Sequence, residues 1–96
     1  MAKSVSNVRY YVRMRELPFP YVTVTDDFGQ ARQIGSVGEA AVWLVAHWPI
    51  RNGDKLQGAK QACLDALAGK VTCRACRNAF IDAAKEAGIY ITHKRL

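Results

Sequence analysis

The feature that most constrains this chain is the order of its two hydrophobic periods. Nearly all the segments that alternate every second residue come before Ser36, and those that repeat every third or fourth come after it. Alternation marks a half-buried strand, and the longer repeat marks an amphipathic helix. Strands followed by helices predict an α+β domain, because an α/β fold would interleave the two.

Residues 8–15 place Val8, Tyr10, Val12 and Met14 on one face and Arg9, Tyr11, Arg13 and Arg15 on the other, which predicts a strand. Pro18 and Pro20 then each remove a ladder donor and fix φ, so this point reads as a break or an edge entry. Residues 21–25 are rich in β-branched side chains. Asp26-Asp27-Phe28-Gly29 supplies turn chemistry with a glycine able to take positive φ, and residues 30–34 return antiparallel, completing a hairpin.

Ser36 followed by Glu39 has the spacing of a capping box and opens the first helix. Val37, Ala40, Ala41, Leu44, Val45 and Trp48 form its apolar stripe, which Trp43 and Ala46 widen, and Pro49 enforces its stop. After the Asn52-Gly53 turn, Asp54 is placed to cap a second helix carrying Leu56, Ala59, Cys63, Ala66 and Leu67 and ending before Gly69. Thr72 is placed to cap a third, with Cys73, Cys76, Phe80, Ala83 and Ala87 along one face and Gly88 at its end. Ile89, Tyr90, Ile91 and Thr92 have strand propensity and can either rejoin the sheet or fray.

The expected architecture is therefore an antiparallel β-hairpin of two or three strands, followed by and packed on three α-helices. Its expected core is Val22, Val24, Ile34, Leu44, Trp48, Leu67 and Phe80. Residues 1–16 form a basic strand or arm, 17–91 a single domain, and 92–96 a basic tail. The chain has 96 residues, half of them apolar, enough for one core of modest stability.

The net charge of +6 suggests nucleic acid until its distribution is examined. Lys3, Arg9, Arg13, Arg15, Lys94 and Arg95 account for the whole excess, and the stretch from Glu16 to His93 balances eight basic against eight acidic residues. Only the ends are basic. The start is polar, without a charged lead into an apolar run, and the longest wholly apolar stretch, residues 40–46, is far too short to span a bilayer. Three unevenly spaced cysteines, Cys63, Cys73 and Cys76, make a poor disulfide framework and fit free thiols in a reducing cytoplasm.

Cys73 and Cys76 are the candidate reactive thiols. The first turn of a helix, with Arg74 and Arg77 nearby, favours thiolate. The opposing reading is that both sulfurs lie on the apolar stripe with Phe80 and act as small hydrophobes, and a thioredoxin-type pair would follow a sheet strand, whereas this one follows a helix. Zinc would need four ligands, and beyond this pair only Cys63, His47 and His93 remain, without a second short-spaced pair. The acids all have structural roles open to them: Asp26 and Asp27 in the turn, Asp54 as a cap, Glu39 in the capping box. His47 sits at a helix end, where imidazolium suits the dipole. No Walker loop, Gly-x-Ser-x-Gly or dinucleotide fingerprint is present, so no enzyme, cofactor or metal is expected. Arg9, Tyr11, Arg13 and Arg15 are the candidate nucleic-acid contacts, the arginines for phosphates and Tyr11 for base stacking.

Taken as a set, Ile34-Gly35-Ser36 leading into Glu39-Ala40-Ala41, the Trp48-Pro49 stop, Gly53, Ala59, Cys63 and Ala66-Leu67-Ala68-Gly69 resemble a family of short bacterial proteins. Phe80-Ile81-Asp82-Ala83-Ala84 and Ala87-Gly88 complete the resemblance, which runs from about residue 17 to about residue 89. It is the domain of unknown function family nine-eighty-two. The resemblance implies a compact domain of a hairpin and helices, and no activity or functional residue to carry over. The chain departs from the pattern in its basic first strand and in the Cys73/Cys76 pair. The expected function is that of a small cytoplasmic, non-catalytic protein-interaction or regulatory module, with an unknown protein partner or a second copy of itself. Nucleic-acid binding through the first strand is the alternative, and thiol redox or metal chemistry at Cys73/Cys76 the third.

Overall fold

The computed structural model describes residues 17–91, in the order β1 (Pro18–Thr25), β2 (Ala31–Ser36), α1 (Val37–Ala46), α2 (Asp54–Leu67), α3 (Cys73–Ala87) and β3 (Tyr90–Ile91). The strand expected over residues 8–15 lies outside the described residues, as do Thr92 and the rest of the tail. The three strands form one antiparallel sheet in the order β2-β1-β3, so the fold is α+β. Ile89 to Ile91 therefore rejoins the sheet: Tyr90 and Ile91 lie opposite Val24 and Thr23, and the Thr25 N–H donates to the Ile89 carbonyl at 2.9 Å.

β1 corrects the reading of the two prolines. It begins at Pro18, not after Pro20, and it is the central strand. Two features make this possible. Among the described residues β3 pairs with β1 only as far as Thr23, so no described second ladder needs the missing donors, and the β1–β2 register is irregular between Pro18 and Val22. That irregularity resets the alternation, and Phe19 joins Val22 and Val24 in the core. The freed Pro20 carbonyl accepts from Arg77 Nε at 2.8 Å, tying α3 to the strand.

The hairpin turn is built on Asp26. Its carboxylate accepts from the N–H groups of Phe28 and Gln30, both at 2.9 Å, and from Arg32 Nε at 3.0 Å, while Gly29 takes φ +80°. The Gln30 N–H, with Arg32 and the Phe28 N–H, holds the Asp26 carboxyl below its ordinary value. A group lowered on folding stabilises fully above its unfolded pKa and loses that contribution as the pH falls through its folded one. The stability gap between wild type and Asp26→Asn is therefore expected to be widest near neutrality and to close on acidification below the ordinary aspartate range, as read by urea unfolding across pH.

Helix ends follow the sequence with two corrections. The Glu39 N–H donates to Ser36 Oγ at 3.1 Å, but the Glu39 carboxylate reaches one residue beyond the expected partner and accepts from the Gly35 N–H at 2.7 Å. Asp54 does not cap α2. Gly53 occupies the cap position, and the carboxylate of Glu86, at the far end of α3, accepts from the N–H groups of Leu56 and Lys55 at 3.1 and 3.3 Å. A Cβ at Gly53 would collide with that carboxylate, so a larger residue there would have to push the cap aside. Thr72 caps α3 as expected, its Oγ1 accepting from the Ala75 N–H at 3.0 Å, and Gly88 ends that helix.

α3 packs on β1 and most extensively on α2, which in turn packs on α1. The core joins Phe19, Val22, Val24 and Ile34 from the sheet to Val37, Ala40, Leu44, Leu56, Ala59, Cys63, Ala66, Cys76, Phe80, Ala83 and Ala84. Trp48 and Leu67, expected inside, pack on its margin and are only partly buried. The alanines let the helices approach closely, which leaves less room for the larger side chains.

Candidate interaction groove and cysteine pair

β2 is an edge strand among the described residues. The Asp26 N–H donates to the Gln30 carbonyl at 2.9 Å, which sets the phase of the antiparallel ladder. Because hydrogen-bonded and non-hydrogen-bonded positions alternate, Arg32 and Ile34 turn their backbone groups toward β1, and Ala31 and Gln33 turn theirs to the open side. Gly35 would do the same, but Glu39 already occupies its N–H.

α1 runs back alongside this edge, and the space between them is a groove of about 640 Å³ lined by Arg32, Gln33, Ile34, Glu39, Val42 and Trp43 among others. A further recess of about 300 Å³ continues it to the hairpin tip, between Asp26, Asp27, Phe28 and His47. The Trp43 and His47 rings pack 5.1 Å apart at this end. Val42 and Val45 are exposed on α1, and Phe28 is 86% exposed at the tip. The sequence indicated the hairpin and the helix separately. It held no signal that α1 would lie beside the open edge.

The thiols are arranged differently from the expectation. Cys76 faces Cys63 of α2, with the two sulfurs 3.1 Å apart, and both side chains are buried. Cys73, one turn earlier, is only partly buried. Either sulfur can donate in this contact, and sharing it raises the Cys63 pKa and lowers that of Cys76, burial adding to the rise at Cys63. Arg77, expected to add charge near the thiols, instead binds the Pro20 carbonyl. Among the described residues, no three histidine, cysteine or acidic side chains gather as metal ligands. Arg9, Tyr11, Arg13 and Arg15 lie outside the described residues. No described helix is long and apolar enough to cross a membrane.

Comparison with solved structures places this fold beside the NMR structure of the Agrobacterium tumefaciens protein Atu1219. The two share 26% identity and a TM-score of 0.72, over 86% of this chain and 84% of the other. No curated protein matches the sequence. Residues 20–91, about three quarters of the chain, match the family described as protein of unknown function, DUF982, and the chain belongs to that family.

Proposed function

We propose that this chain is a non-catalytic interaction module whose β2 edge pairs with the same edge of a second copy. The observation that carries the reading is the outward direction of the Ala31 and Gln33 backbone groups beside a groove of mixed polar and apolar lining. Such an edge is a template for strand addition. Antiparallel self-pairing places a two-fold axis at one residue of the strand, and Gln33, whose backbone groups face the open side, is the position that pairs directly with its own copy. That axis brings Arg32 of one copy to the Glu39 end of the other, and the Arg32 side chain is 56% exposed, with N–H groups left over after its bond to Asp26. Ala31 then meets Gly35, so small residues flank the join, and Val42 and Val45 gain cover. Asp26, Glu39 and Glu86 are each occupied with backbone N–H groups, which supports the non-catalytic part of the reading.

Sedimentation of the full chain at micromolar concentration is expected to show a dimer. Gln33→Pro removes a donor from the open side only, leaving the β1 ladder intact, and is expected to weaken association at least tenfold, roughly the loss of one or two backbone hydrogen bonds. Unchanged circular dichroism verifies the fold. A wild-type chain that stays monomeric overturns the reading. So does a dimer indifferent to Gln33→Pro. Single-stranded DNA binding by a monomer, lost on deletion of residues 1–15, would move the function to Arg9, Tyr11, Arg13 and Arg15.

A further inference from the structure

The geometry points to a modification site at the α2–α3 contact: we propose that Cys63 and Cys76 are oxidised by hydrogen peroxide to an intramolecular disulfide that external thiols reverse. The sulfurs stand 3.1 Å apart, so bonding at about 2.05 Å requires the helices to close by only about 1 Å. The two cysteines come from different helices and are thirteen positions apart, so the bond would fasten the loop and both helix ends around it.

Cys76 is the attacking group. It lies near the N-terminal end of α3, where its own N–H bonds back to the Thr72 carbonyl and the positive end of the helix dipole favours thiolate, and its sulfur is in contact with that of Cys63. Its sulfur attacks one peroxide oxygen, the O–O bond breaks, and hydroxide leaves and takes up a proton as water, giving the sulfenic acid at Cys76. The Cys63 sulfur then attacks that sulfur. The S–S bond forms as the S–O bond breaks, and the departing hydroxide leaves as water with the Cys63 proton. Two thiols and one peroxide thus become one disulfide and two waters. An external dithiol reverses the step through a mixed disulfide. Because Cys63 and Cys76 are 1% and 0% exposed, oxidation awaits a local opening at the start of α3, and a small oxidant enters where a protein disulfide would not.

The sequence makes the test unambiguous. Lys60, Lys70, Arg74 and Arg77 put the three cysteines into three different tryptic peptides, 61–70, 71–74 and 75–77. The reduced full chain, treated with hydrogen peroxide, is expected to lose two hydrogens and to yield 61–70 linked to 75–77. Its melting temperature is expected to rise by roughly 10 °C and to fall back on reduction. Cys73→Ser is expected to leave the link in place, and Cys63→Ala to stop at an oxygen adduct on 75–77. A link from 71–74 to either other peptide overturns the proposal, as does a folded chain that loses no hydrogens.

Discussion

Phe80→Ala is expected to cost about 3–5 kcal/mol and to leave the domain largely unfolded in mild urea. Phe80 is fully buried on α3, its ring 5.4 Å from that of Trp48, and it fills the space between the helices and the sheet. The neighbours cannot collapse onto the vacated volume, because Ala83 and Ala84 on the same helix are already in close contact with the core and carry nothing to extend. Phe80→Leu keeps most of the volume and is expected to cost about 1–1.5 kcal/mol. Urea unfolding followed by tryptophan fluorescence measures both, since Trp48 reports on this site. Equal losses for the two variants would mean that Phe80 acts through something other than volume.

Glu86→Ala is expected to cost about 2 kcal/mol, a large effect for an exposed carboxylate. The size follows from what the carboxylate does. It holds the Lys55 and Leu56 N–H groups at the start of α2, where Gly53 offers no side chain and Asp54 makes no cap. It also places negative charge at the positive end of that helix. Glu86→Gln keeps an acceptor but loses the charge, and is expected to lose about half as much. Glu86→Asp is too short to reach and is expected to behave like alanine. The measurement is thermal unfolding of the three variants, with hydrogen exchange at Lys55 and Leu56 as the local readout. Unchanged exchange at those two amides would refute the cap.

The contrast between these residues shows what was legible in the sequence. Phe80 lies on a helical stripe, and its burial follows from periodicity. Ser36, Thr72 and the Asp26 turn were equally legible, because each acts within a few residues of itself. The role of Glu86 was not, since it acts across thirty residues on a helix whose own Asp54 offered a local substitute. Cys63 was hidden in the same way. Spacing drew attention to Cys73 and Cys76 on one helix, whereas the partner of Cys76 comes from another. The prolines misled because a proline is judged by the ladders it would break, and how far β3 extends is not a local property. Trp48 and Leu67 lie at the right period but near the ends of their helices, where the core runs out.

The sheet order has a consequence for how the chain is made. Within this domain the central strand and its hairpin neighbour are synthesised before the helices, but the other flank of that strand waits for residues 90 and 91, after all three helices have been translated. The helices that cover the hairpin are likewise synthesised after it. A nascent chain therefore exposes a two-stranded ribbon carrying Phe19, Val22 and Val24, too small to be stable alone. Folding of this domain is in effect a late, all-at-once event, and a chaperone that shields apolar strands would act on the hairpin before the last turn of α3 has appeared.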